Sequence, residues 1–115
     1  MKICVPILDD GLLDPRWGRA ARVALAEVEG GEITSWQEVT VSWDTLHDTG
    51  TDGAHHARVV RLLREQGVQA VVAHHMGDGM VNTLHKLGLQ VSLGADGDAR
   101  AAVRAVGSGD AVSVR

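Results

Sequence analysis

His74, His75 and Met76 stand where the apolar run Val71-Val72-Ala73 gives way to Gly77-Asp78-Gly79 and a new amphipathic stretch from Met80. Imidazole nitrogen and thioether sulfur are donors for borderline and soft metals such as iron, copper and molybdenum rather than for hard magnesium. The change of pattern reads as a strand-to-helix turn. In an open parallel sheet such turns lie at the carboxyl ends of the strands, where ligands bind. A second pair, His55-His56, opens the preceding helix, and one of those two rings must turn toward the core. His74, His75 and His55 are the candidate metal ligands, with His56 and Met76 beside them. The remaining candidates read more plainly: His47 as a solvated loop residue, His85 as structural or on the surface, and Met80 as core. Cys4, inside the first strand, reads as a small buried hydrophobe. Trp17 reads as the anchor of its loop, with a lid over a ligand as the alternative.

The elements that must position these groups follow from pattern. Lys2 to Leu8 is almost continuously apolar, as a buried strand is, with Pro6 its one awkward member. Leu12 to Ala21 is a polar, turn-rich loop holding Asp14-Pro15-Arg16-Trp17-Gly18-Arg19. Arg22 to Glu29 and Glu32 to Val41 are β-prone runs joined by Gly30-Gly31, a hairpin signal. Ser42 to Gly53 lacks periodicity and is expected to be a mobile loop flanking the site. Leu63 to Val71 and Leu84 to Ser92 then share one plan: a helix stops at a glycine, an apolar residue folds back, and a strand follows. Val59, Leu62 and Leu63 mark one helical face, and Met80, Leu84 and Leu87 the other. An alanine-rich helix from about Asp98 to Val106 should stop near Gly107 and leave Ala111 to Val114 extended. The sum is an α/β sandwich with a five-stranded mixed sheet and helices on its faces, the strands near Cys4, Val71 and Val91 being parallel.

Composition bounds the function. The 115 residues are one domain, 44% hydrophobic and 23% charged, with three Trp and neither Phe nor Tyr. Base-stacking platforms are therefore scarce. The net charge of -4 and the lack of a Lys/Arg block argue against nucleic acid or a membrane surface as the main partner. One cysteine allows no intramolecular disulfide and no CxxC metal site, which suits a cytoplasmic protein. No signal peptide or membrane span is read in the chain, and a monomer is expected.

Taken in order, Ile3-Cys4-Val5-Pro6-Ile7 with an Asp-Gly turn, Trp17-Gly18-Arg19-Ala20, a histidine-bearing segment before the first helix, and Val72-Ala73-His74-His75-Met76-Gly77 resemble the dinitrogenase iron-molybdenum cofactor biosynthesis family over nearly the whole chain. That family includes nitrogenase cofactor carriers and small orange proteins holding a molybdenum-copper-sulfide cluster. The resemblance implies a ribonuclease H-like sandwich. It also implies a non-enzymatic carrier or scaffold for a molybdenum-iron-sulfur or molybdenum-copper-sulfide cluster, exchanging it with cofactor-assembly or acceptor proteins. The chain departs from the family pattern at two points: Arg16 stands where many relatives have a histidine, and His74-His75 stand where many have small residues. Such clusters are anions, and anions are held by helix N-termini, backbone N–H groups and arginines as well as by direct ligands. On that basis Arg16, Arg19, His55, His56, His74, His75, Met76 and Gly77 form the candidate cofactor-binding set, with Arg22 on the facing loop. His55, His74, His75 and Arg19 are expected to share one cleft. Two other classes remain: a simple histidine-based binder of zinc, nickel or copper or a regulatory interaction domain, and a metal-dependent hydrolase using Asp9-Asp10, for which no HExxH, GxSxG or P-loop pattern is present.

Overall fold

The computed structural model describes residues 1–46 and 52–108. His47 and the segment Ala111 to Val114 lie outside them. Five strands, β1 (Lys2–Ile7), β2 (Arg22–Glu29), β3 (Glu32–Thr40), β4 (Ala70–Val72) and β5 (Gln90–Ser92), form one sheet in the order β3-β2-β1-β4-β5. β1 pairs antiparallel with β2 and parallel with β4, and β4 is parallel to β5, so the hairpin extends a parallel half as expected. Gly30 and Gly31 both take positive φ, 60° and 81°, the backbone that a two-residue turn matching strand twist demands.

Pro6 is tolerated in the central strand because of where it sits. The parallel pairing of β1 with β4 covers only Ile3 and Cys4, so the missing N–H of Pro6 breaks no bond on that side. Its carbonyl accepts from Asp14 N at 2.9 Å, which ties the loop after β1 back to the strand.

The two-residue alternation of β1 sorts the core into two layers. Ile3, Val5 and Ile7 join Ala24, Ala26, Ala70 and Val72 on one face. That face is covered by helix α4 (Ala99–Gly107) through Ala99, Val103 and Val106. Cys4, Val23, Leu25, Val71 and Val91 face the other way, against helices α2 (Asp52–Glu65) and α3 (Asp78–Lys86). Both α2 and α3 end at the expected glycines: Val68 N folds back to Leu63 O and Leu89 N to Leu84 O, each at 3.0 Å. α4 starts one residue later than its pattern suggested because Asp98 caps it, its carboxylate accepting from Ala101 N at 2.8 Å.

The stretch expected to be a mobile loop departs from that reading within its described part. Trp43–Leu46 form a short helix, α1, and Trp43 is buried. Burying so large an apolar surface fixes the segment against the sheet, whatever its lack of periodicity. No helix among the described residues is long and apolar enough to cross a membrane.

Candidate functional site

The site is built from three segments that meet beyond the carboxyl ends of β1 and β4. Asp14 begins it. This carboxylate is buried, and its Oδ1 accepts from Arg16 N at 2.9 Å and from Arg16 Nε at 3.3 Å. The turn so made carries Arg16 beside the strand end after β4, where Arg16 and His75 pair as an isolated parallel bridge. A single 3-10 turn, Trp17–Arg19, follows. Trp17 drops into the core and meets Trp43 edge to face, their ring centroids 5.3 Å apart. It is the loop anchor. Its indole Nε1 is buried without an acceptor among the described residues.

The second segment is the first turn of α2. His55 is four and eight residues ahead of Val59 and Leu63, so it lies on the stripe that faces the core and is 4% exposed. Its Nε2 lies 2.9 Å from Gly18 O and its Nδ1 3.0 Å from Arg58 Nη1. A guanidinium can only donate and a carbonyl only accept, so this network assigns the neutral ring with its proton on Nε2. Arg58 Nη1 also donates to Leu46 O at 3.2 Å. His56, one residue on, is half-buried and faces α3, where a Cβ on Gly79 would lie 3.7 Å from His56 Cε1.

The third segment runs from β4 into α3. Gly77 is the extended residue before the helix, and as a glycine it provides no side-chain cap for the first N–H groups of α3. The chain bends at His74, two residues past the end of β4, and that separates the two histidines. His75 goes with Met76 and Gly77 toward α2. His74 turns the other way, its Nδ1 3.2 Å from Ala95 O and its backbone carbonyl accepting from Gly94 N at 2.9 Å.

These segments enclose an open cleft of about 360 Å³. Pro15, Arg16, Trp17, Gly18 and Arg19 form one wall. His55 and His56 form the second, and His75, Met76, Gly77 and Met80 the third. His75 and Met76 also border a second recess, of about 530 Å³, shared with Asp78, Asn82 and His85.

The expected set is thus largely brought together, with three corrections. His74 does not line the cleft, because the bend after β4 turns its ring to Ala95 O in the loop after β5. His55 lines it with both ring nitrogens already engaged, so it is a structural tie rather than a ready ligand. Arg22 starts β2 on the α4 side of the sheet and pairs with Asp9 at 2.6 Å and Glu38 at 4.0 Å. Among the described residues no three His, Cys, Asp or Glu side chains converge as a group able to hold a metal ion, so the triad His74, His75 and His55 is not assembled. Arg58 and Met80 were missed as parts of the site. Their signals were present: Arg58 is one helical turn from His55, and Met80 repeats Met76 at a spacing of four. Cys4 is fully buried, and desolvation pushes its thiol pKa far above the ordinary range.

The chain is a small α/β domain with a five-stranded mixed sheet and an open cleft at its strand ends, walled by arginines, imidazoles and thioethers. The model of the dinitrogenase iron-molybdenum cofactor family matches residues 1–109, and the chain belongs to that family. An uncharacterised protein of Methanocaldococcus jannaschii is 29% identical over 92 residues, covering 79% of this chain and 72% of its own length. The fold is similar to that of the apo form of the orange protein from Desulfovibrio gigas, with a TM-score of 0.76 at 23% identity over 96% of this chain and 90% of that one. It is also similar to a candidate NifB protein from Thermotoga, with a TM-score of 0.68 at 23% identity over 96% and 90% of the two chains.

Proposed function

We propose that this protein is a non-enzymatic carrier or scaffold that holds an anionic molybdenum-iron-sulfide or molybdenum-copper-sulfide cluster in the cleft, as cargo for metallocofactor assembly. The observation that carries this reading is the mismatch between the donor set and a bare cation. A zinc ion takes three or four protein ligands, and no such group converges among the described residues. A sulfide cluster brings its own sulfur ligands and a negative charge. It needs a cradle of cations and N–H groups with only one or two direct bonds.

In this reading His75 and His56 offer the direct nitrogen bonds, and Met76 and Met80 make a soft, polarizable wall. Arg16, Arg19 and the uncapped start of α3 balance the charge. An open cleft also suits a cargo that must leave again for an assembly or acceptor protein. By the same resemblance the sandwich is of the ribonuclease H-like type. A hydrolase on such a fold would need carboxylates sharing two hard cations. Asp9 is instead paired with Arg22, and Asp10 accepts from Leu12 N at 3.1 Å, which weighs against that alternative.

The test is anaerobic reconstitution of the protein with tetrathiomolybdate plus copper(I) or iron(II), followed by gel filtration and elemental analysis. A coloured protein fraction containing molybdenum and sulfide is expected. Retention should fall as salt is added, because the arginine contribution is exposed and screened. Stoichiometric zinc or nickel binding with no retention of molybdenum and sulfide would overturn the reading in favour of the simple histidine binder.

A further inference from the structure

We infer that Arg58 and His55 act together as a latch that sets the position of the Trp17–Arg19 turn, so that Arg58 governs how tightly the cleft holds its ligand without touching it. The inference rests on the cluster-carrier reading for the identity of the ligand but not for the latch itself.

Three contacts define the device. Arg58 Nη1 holds Leu46 O at 3.2 Å and His55 Nδ1 at 3.0 Å, and His55 Nε2 holds Gly18 O at 2.9 Å. One guanidinium on α2 therefore reaches the end of α1 directly and the facing wall of the cleft through an imidazole. Arg58 itself does not line the cleft. Within the turn Arg19 N reaches Arg16 O at 3.0 Å and Ala20 N reaches Trp17 O at 3.5 Å, with Trp17 and Ala20 buried to either side of the exposed Arg19. Gly18, with no side chain, offers the wall little else to hold than its carbonyl. Arg16 is placed beside His75 by Asp14 and its own bridge, but the turn carries Arg19, so its position decides where that second cation stands in the cleft wall.

Removing the donor at position 58 takes the Arg58 hydrogen bond from the buried His55 Nδ1, and the ring is oriented less firmly toward Gly18 O. Trp17 and Ala20 stay buried at either end, and the Gly18-Arg19 stretch between them then samples other positions. A ligand that binds only the seated turn loses apparent affinity by the fraction of time the turn is seated, so seating for about a tenth of the time costs about tenfold. The bound state itself is unchanged. That separates a latch from a ligand: a latch variant weakens binding and leaves the spectrum of the saturated complex as it was, whereas loss of a metal ligand alters the charge-transfer bands.

The experiment uses the full chain as Arg58→Leu, Arg58→Lys and His55→Gln beside wild type. In ligand-free protein, hydrogen exchange at the Arg19 and Ala20 amides should speed up in Arg58→Leu, while amides of β1 and β4 keep their protection. His55→Gln, whose amide can donate to Gly18 O and accept from Arg58, should retain most of the protection of the turn. Titration with tetrathiomolybdate and copper(I) should show about tenfold weaker binding by Arg58→Leu with an unaltered saturated spectrum. Unchanged exchange at Arg19 and Ala20 in Arg58→Leu overturns the latch, as does a changed saturated spectrum in His55→Gln. If Arg58→Leu does not fold, the same exchange comparison on Arg58→Lys and His55→Gln decides. Wild-type protein that takes up no thiomolybdate while exchange responds as expected overturns the cluster reading and leaves the latch standing.

Discussion

At the residue scale, the two adjacent histidines separate into different roles. His75 faces the cleft and His74 faces the loop at Ala95. His75→Ala should therefore weaken retention of a reconstituted cluster by at least about tenfold, the scale found for groups that orient or support a metal. His74→Ala should leave retention within experimental error. Equal losses in the two variants, measured as molybdenum retained after gel filtration, would contradict this division. That the pair would part was not legible, because the chain bends at His74 beyond the end of β4. The choice depends on the segment after β5, where Gly94 N donates to His74 O and Ala95 O meets the His74 ring. For His55 the apolar spacing to Val59 and Leu63 already pointed to the core, and chemistry alone made it look like a ligand. Cys4 gives a second expectation. Its buried thiol should resist a neutral disulfide reagent such as dithiodipyridine until the protein unfolds. Because folding raises this pKa, the stabilising effect is complete below the ordinary thiol range of about 8.5 and is lost as pH rises above it. The slope is up to about 1.4 kcal/mol per pH unit, read from denaturant midpoints of wild type against Cys4→Ala.

At the scale of elements, the strands and helices were legible because each carries its own signal: alternation in β1, paired glycines in the β2–β3 hairpin, and a helix-stopping glycine before β4 and β5. What was not legible was α1, since four residues give no periodicity and Trp43 declares itself only through what it packs on. α4 shows how closely the second face is filled. A Cβ built on Gly107 would stand 2.3 Å from Val28 Cγ1, a distance that real side chains do not reach. Alanine in place of a helical glycine ordinarily gains about 1 kcal/mol, and overpacking a core costs about 1–3 kcal/mol. Val28 is buried, β-branched and next to a register shift in the β2–β3 ladder, so it has little room to yield. The overlap should win. Gly107→Ala is expected to lower stability by about 1–2 kcal/mol, and an unchanged or raised melting temperature would show that α4 can slide on the sheet.

At the scale of the whole molecule, the sheet divides the chain into a working side and a supporting side. α2, α3, α1 and the Trp17–Arg19 turn gather on or beyond one face, while α4 is the one helix among the described residues that covers the other. This division was legible from the order of elements, but the meeting of three distant segments at one cleft was not, because no local pattern records how β1, β4 and α2 converge. The division also sorts the tryptophans. Trp17 and Trp43 meet edge to face beneath the cleft, and Trp36 lies across the sheet under the Arg100 guanidinium, which is 4.2 Å from its ring centre. With no tyrosine in the chain, ultraviolet emission comes from these three indoles alone. In Trp36→Phe the whole signal reports from below the cleft, and a strongly coloured thiometalate bound there should quench it in step with occupancy. Emission that survives saturation, or loss confined to Trp36 in the unmodified protein, would mean that the cargo rests elsewhere. The chain thus carries its own optical gauge of filling, and loading or hand-over can be timed without labelling the protein.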